Sequence, residues 1–190
     1  MSKNLCVYCS SSSAIAPEYA ETARELGVEM VARGWDLVYG GTTAGLMGVI
    51  ADTVMGAGGR AVGVIPRHIS QRGISHQSLN ELIVTADMRE RKAGMDQRAD
   101  AFLALPGGFG TLEEVFEVLT LKQLQMHTRP IVFLDTRKFY APLRVFLDHM
   151  IAGRFAKPES AALYHFAESP RAALDYLEDY SPALAGVKWL

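Results

Sequence analysis

The sequence predicts an α/β protein: a mostly parallel central sheet with helices on both faces. Three observations carry this. Short apolar runs alternate with longer helical patterns, the connections between them are rich in glycine or serine, and each such turn follows a strand and precedes a helix. Right-handed crossovers in a parallel sheet collect those turns at the carboxyl ends of the strands, where open α/β sheets bind ligands.

The elements follow in order. Leu5 to Tyr8 is the first strand, ending in Cys9-Ser10-Ser11-Ser12-Ser13, and the helical pattern Tyr19 to Arg33 comes after Pro17. Trp35 to Tyr39 is the second strand, running through Gly40-Gly41-Thr42-Thr43-Ala44-Gly45 into a helix over Leu46 to Ala57. Gly58-Gly59 breaks that helix and Arg60 to Ile65 is the third strand. Pro66 to Asn80 is polar, lacks periodicity and carries Arg67, His68 and Arg72; a loop of that length in a compact domain is usually functional. Leu82 to Thr85 is the fourth strand. Asp87 caps a helix from Met88 to about Ala99, with Glu90 completing an Asp-x-x-Glu box. Ala101 to Leu105, the fifth strand, leads into Pro106-Gly107-Gly108-Phe109-Gly110-Thr111 and a helix from Leu112 to about Gln125. Pro130 to Leu134 is the sixth strand, Tyr140 to Ala152 a helix and Ser169 to Tyr180 the last. With no internal repeat, low-complexity tract or linker, a single domain over residues 1–190 is expected.

The turn after the fifth strand is the most informative stretch. Gly107, Gly108 and Gly110 let the backbone turn sharply and let a ligand approach where a Cβ would block it. The first N–H groups of the following helix point out of the turn and attract an anion, most often a phosphate. Thr111 followed by Glu114 is also a capping box that any helix could use. The turn matches neither GxxxxGK(S/T) nor the GxGxxG spacing. Beside it, Arg89, Arg91 and Lys92 stand near the positive end of a helix dipole, each disfavoured by about 0.3 to 1 kcal/mol unless an anionic ligand or partner residue answers it. The serine run is open to two readings, ligand contact or a solvated turn.

Composition narrows the class. With 49% hydrophobic and 21% charged residues and a formal net charge of -2, the chain lacks the concentrated basic excess of a nucleic-acid binder. No apolar run approaches the roughly 20 residues that span a bilayer, so no membrane partner and a cytoplasmic location are expected. Cys6 and Cys9 form a CxxC, but along a strand and without a second pair to complete a zinc site, so reduced thiols are expected. His127 and His149 stand in no metal-ligand spacing.

Pro106 to Glu114 reads PGGxGTxxE, and Asp87 to Lys92, DMRERK, resembles the motif DMHERK. Together they resemble the LOG family, cytokinin riboside 5'-monophosphate phosphoribohydrolases with a Rossmann-like fold. The likeness runs from the first strand through Val38-Tyr39-Gly40-Gly41 and Gly45-Leu46-Met47-Gly48 to about Leu134. It implies hydrolysis of the bond between base and ribose in a nucleoside 5'-monophosphate such as AMP or isopentenyladenosine 5'-monophosphate, an AMP nucleosidase type of reaction needing no cofactor or metal. Its oxocarbenium-like transition state calls for a nearby carboxylate.

The resemblance implies a catalytic pair, Arg91 and Glu114, in which Arg91 keeps the carboxylate ionised. It implies substrate contacts from Ser10, Gly40, Gly41, Met88, Lys92, Gly107, Gly108, Gly110, Thr111, Glu113 and Thr120, and a homodimer. A prenylated base would need an apolar pocket, for which Met88, Met95, Leu46 and Phe109 are candidates. Thr42 replaces the family's usual third glycine, and Gly73 stands where a glutamate is usual.

Two rivals stand beside the hydrolase. One is a carrier that binds a nucleotide-like ligand without turnover, as molybdenum cofactor carrier proteins of a related fold do; intact Arg91 and Glu114 argue against it. The other, a pyridoxal phosphate dependent lysine decarboxylase, lacks a lysine in the glycine turn for a Schiff base, and the chain is short for such enzymes.

Overall fold

The computed structural model describes residues 2–182; the domain expected over 1–190 extends beyond them at both ends. Strands β1 (Lys3–Tyr8), β2 (Trp35–Tyr39), β3 (Ala61–Pro66), β4 (Glu81–Thr85), β5 (Ala101–Ala104), β6 (Ile131–Leu134) and β7 (His165–Ala167) form one sheet in the order β4-β3-β2-β1-β5-β6-β7. Every neighbouring pair is parallel. The expected α/β fold is therefore present, with a seventh strand that three residues were too few to announce.

The helices are α1 (Pro17–Ala32), α2 (Gly45–Gly56), the short α3 (Arg67–Ile69), α4 (Met88–Asp96), α5 (Phe109–Gln123), α6 (Ala141–Ala152) and α7 (Pro170–Asp179). Strand order reverses between β1 and β5, so right-handed crossovers send helices to opposite faces. Leu5 and Val7 of β1 bury against α1, α2 and α7, while Cys6 and Tyr8 bury against α4 and α5. A sheet covered on both faces explains why its strands read as unbroken apolar runs. Cys6 and Cys9 are buried free thiols belonging to opposite cores, and burial pushes the Cys6 thiol up to about 12. Among the described residues, no helix is long and apolar enough to cross a membrane.

Three expectations change. Helix α5 starts at Phe109, three residues before Leu112, and α4 ends at Asp96 rather than Ala99. The stretch from Pro66 to Asn80 is not a plain loop: α3 runs into a wide helical turn, Ser70–Ile74, and Ser75 then bridges Thr42.

Helices α1 and α2 approach closely at Gly27, where a Cβ would lie 2.9 Å from Thr53 Cγ2 and 3.0 Å from Thr53 Cβ. The Thr53 hydroxyl donates to Val49 O at 2.7 Å, which fixes its rotamer, and its Cβ cannot rotate away. Gly27→Ala adds helix propensity of about 1 kcal/mol, but the overlap outweighs it. The variant is expected to unfold at lower temperature than the wild type; a higher melting temperature would contradict this close packing.

Candidate active site

The reversal of strand order makes β1 and β5 send their chains apart, which opens a crevice at their carboxyl ends. Ser10 N–H donates to Pro106 O at 3.2 Å across its floor, and Leu46 N–H donates to Ser10 O at 2.9 Å. The Ser10 hydroxyl accepts from Ser12 N at 3.0 Å, so it is engaged within its own turn. The serine turn after β1 and the glycine turns after β2 and β5 are thus gathered at one edge of the sheet, as the pattern predicts.

Helix α5 begins on the last of these turns. Gly108 is its N-cap and offers no side-chain acceptor; Leu112 N–H is the first to bond inside the helix, to Gly108 O at 3.1 Å. Among the described residues, the N–H groups of Phe109, Gly110 and Thr111 have no acceptor and point out of the turn. A Cβ at Gly108 or Gly110 would meet nothing within 4 Å, so space is open in front of them. Gly107 differs: a Cβ there would overlap the Thr111 hydroxyl, which is packed against it and buried. The capping-box reading therefore fails, because Thr111 is inside the helix and Glu114 reaches elsewhere.

Helix α4 makes the contrast plain. Asp87 Oδ1 accepts from Arg89 N at 2.8 Å and Glu90 N at 2.9 Å, and Glu90 accepts from Ala86 N at 2.6 Å, one residue earlier than a standard box. That helix start is closed, whereas the α5 start is free to take an anion.

The α4 cations find partners on α5. Arg91 Nη1 donates to Glu114 Oε1 at 2.5 Å, Nε donates to Val64 O of β3 at 3.2 Å, and Nη2 occupies the space that a Cβ at Gly40 would fill. Gly40 is glycine because Arg91 lies against it. Both members of the pair are 8% exposed. Burial pushes the Glu114 carboxyl above the ordinary carboxylate range, and the Arg91 guanidinium opposes that rise without cancelling it. Lys92 pairs with Glu113 and Glu117, and these two carboxylates raise its pKa. Partner residues thus answer Arg91 and Lys92.

Of the remaining candidates, Met88 opens α4 at 37% exposed and Phe109 opens α5 at 93%, both beside the crevice, whereas Met95 and Leu46 are 1% exposed and belong to the core. Thr120 is not brought to the pair: it lies about 10 Å beyond Glu113 along the helix, and its hydroxyl donates to Phe116 O at 2.7 Å. Thr42 replaces a glycine without strain, its hydroxyl accepting from Ala44 N at 3.3 Å, while Gly41 takes φ of 74°. Gly73, at φ 75°, is exposed to open space. No three His, Cys, Asp or Glu side chains among the described residues group as metal ligands. Sequence reasoning missed Val64 O, which has no side-chain signal, and the fit of Gly40 to Arg91.

Residues 47–177 match the family model described as "Possible lysine decarboxylase". The cytokinin riboside 5'-monophosphate phosphoribohydrolase LOG1 of Arabidopsis thaliana is 42% identical over 180 residues, 95% of this chain and 84% of its own length. The probable cytokinin riboside 5'-monophosphate phosphoribohydrolase LOGL2 of Oryza sativa subsp. japonica is 40% identical over 191 residues, 98% of this chain and 78% of its own length. Among solved structures, the molybdenum cofactor carrier protein of Chlamydomonas reinhardtii superposes with a TM-score of 0.70 at 23% identity, covering 94% of this chain and 97% of that one. At that identity the likeness is one of fold.

Arg91→Met keeps the bulk at this position and removes the charge. Because the guanidinium lowers the Glu114 pKa, its loss is expected to move the carboxyl titration to higher pH in carbon-13 NMR. A titration that stays in place or moves down would contradict the ion pair.

Proposed function

We infer the function from kinship: the chain belongs to the LOG family of cytokinin riboside 5'-monophosphate phosphoribohydrolases, and it is a hydrolase that releases the base from a nucleoside 5'-monophosphate. One observation supports the detailed reading of its site. The free N–H groups of Phe109, Gly110 and Thr111 and the buried carboxyl of Glu114 belong to the start of one helix, Gly110 and Glu114 being about 6 Å apart along its axis. A 5'-phosphate held on the helix start brings the ribose to Glu114.

In this reading the C1'–N9 bond breaks with its electron pair leaving on the base, and the ribose takes oxocarbenium character. Ionised Glu114 stabilises that charge and accepts a proton from the attacking water, whose oxygen bonds to C1'. The departing base takes a proton from solvent, which balances the one that water gives up to Glu114, and ribose 5-phosphate is left. Burial raises the Glu114 pKa and makes it a stronger base, while the Arg91 guanidinium opposes that rise and favours the ionised form. The phosphate grip supplies binding energy that positions the sugar.

AMP and isopentenyladenosine 5'-monophosphate are the proposed substrates, with the base or its N6 substituent against the exposed Met88 and Phe109. The relative rates on the two would separate purine salvage from cytokinin production. A homodimer belongs to the same reading, supported by the apolar surface of α6 and its sequel, where Val145, Phe146 and Phe155 are exposed. The intact Arg91–Glu114 pair favours turnover over a carrier role. Decarboxylation through a Schiff base would need a lysine at the glycine turn. Lys92 is held by two carboxylates and Lys122 donates to Leu163 O at 2.9 Å.

Glu114→Gln is expected to lower base release from either monophosphate by about 10²–10⁴-fold with ligand binding retained, and the unphosphorylated ribosides should yield no base from any variant. Chromatography of products checks both. Full activity in Glu114→Gln would remove Glu114 from the chemistry, and equal turnover of the ribosides would remove the phosphate site.

A further inference from the structure

The connection between β3 and β4 does not cross the carboxyl edge unsupported. Thr43 N–H donates to Ile74 O and His76 N–H donates to Gly41 O, each at 3.0 Å, and Thr42 pairs with Ser75 in an antiparallel bridge. The result is a short two-stranded ribbon between this strap and the glycine turn after β2. Gly41 within it is wedged, since a Cβ there would lie 3.2 Å from Ile65 Cβ, and the next residue back, Gly40, is the surface on which Arg91 rests. The strap therefore borders the crevice that holds the Arg91–Glu114 pair.

Backbone bonds alone would leave this ribbon frail, because two-stranded ribbons are marginal in water. His76 supplies the missing anchor. With Ser75 at 5%, it is buried at 6% exposed between the exposed stretch Arg72 to Ile74 and the exposed Gln77 and Ser78. Its Nδ1 accepts from Ser78 N–H at 3.3 Å, so the ring proton is on Nε2, which donates to Asp52 Oδ1 on α2 at 2.9 Å. One side chain thus ties the strap to its own turn and to the helix that starts from the glycine turn.

We propose that His76 is a positioning residue: through Asp52 it latches the strap onto Gly41–Thr43 and keeps the nucleotide site in its closed, binding-competent form. The proposal rests on the nucleotide hydrolase reading above. An enzyme whose competent form is only partly populated shows weaker apparent affinity in proportion, while the bound complex reacts at its usual rate. The latch therefore belongs to KM and not to kcat. Asp52 is largely exposed, so its bond is partly screened and the effect is modest.

The test uses wild type, His76→Ala, Asp52→Ala, the double variant and His76→Gln, whose amide can still donate to Asp52. With AMP as substrate, each alanine variant is expected to raise KM about fivefold, the order of one partly screened charged hydrogen bond, with kcat within about twofold. The double variant should be no worse than either single one, and His76→Gln should recover most of the loss. Hydrogen exchange should accelerate at the amides of Thr43 and His76 and stay unchanged in β1 and β5. An unchanged KM, additive single effects, a loss confined to kcat, or unchanged exchange at Thr43 and His76 would each overturn the latch. A wild type that binds AMP but releases no base would defeat the hydrolase reading instead, and exchange would still decide the latch.

Discussion

A guanidinium and a carboxylate, each 8% exposed, face one another at 2.5 Å between α4 and α5. Taking both charges out of water costs several kcal/mol per ion, and an apolar pair of similar volume would hold the two helices together as well or better. Much of the surroundings is shaped by this pair. Gly40 lacks a Cβ because Arg91 lies there, Val64 O satisfies Nε, and the strand order places α4 and α5 side by side on one face of the sheet. Such an investment of buried polarity at the mouth of a crevice is characteristic of a site that handles charge in a reaction.

The two helix starts at the same edge divide the labour. Asp87 closes α4, so its cations are free to turn toward α5 rather than toward a ligand at their own terminus. No side chain closes α5, and the exposed Gly108 and Gly110 leave its N–H groups accessible. A phosphate there restores the acceptors that the helix lacks and complements its dipole. In the proposed reading, phosphate binding and carboxylate chemistry share one rigid element, which fixes the distance between them without relying on loop geometry.

Much of this was legible in the sequence because two periodicities and a few punctuating glycines dominate it. Trp35–Tyr39 is legible with its bounds, and Gly107, Gly108 and Gly110 mark the turn on which α5 starts with its first N–H groups uncapped. The start of α5 was misplaced since Phe109 and Gly110 carry no helical signal, and β7 was missed because three residues cannot display a period. Arg91 and Glu114 stand out only through their motifs; that they meet follows from strand order, which no local pattern encodes. The reason for Gly40 and the burial that raises the Glu114 pKa exist only in three dimensions. Thr120 lies outside both motifs, and its hydroxyl donates to Phe116 O of its own helix.

In the proposed mechanism, water assisted by Glu114 adds to C1' of a nucleotide held by its phosphate on α5. The decisive measurement is rapidly quenched turnover of AMP in oxygen-18 water, with the ribose 5-phosphate reduced by borohydride before its anomeric oxygen exchanges and both products weighed by mass spectrometry. One labelled oxygen is expected in ribose 5-phosphate and none in the free adenine. Unlabelled ribose 5-phosphate, or no adenine at all from a protein that binds AMP, would contradict it.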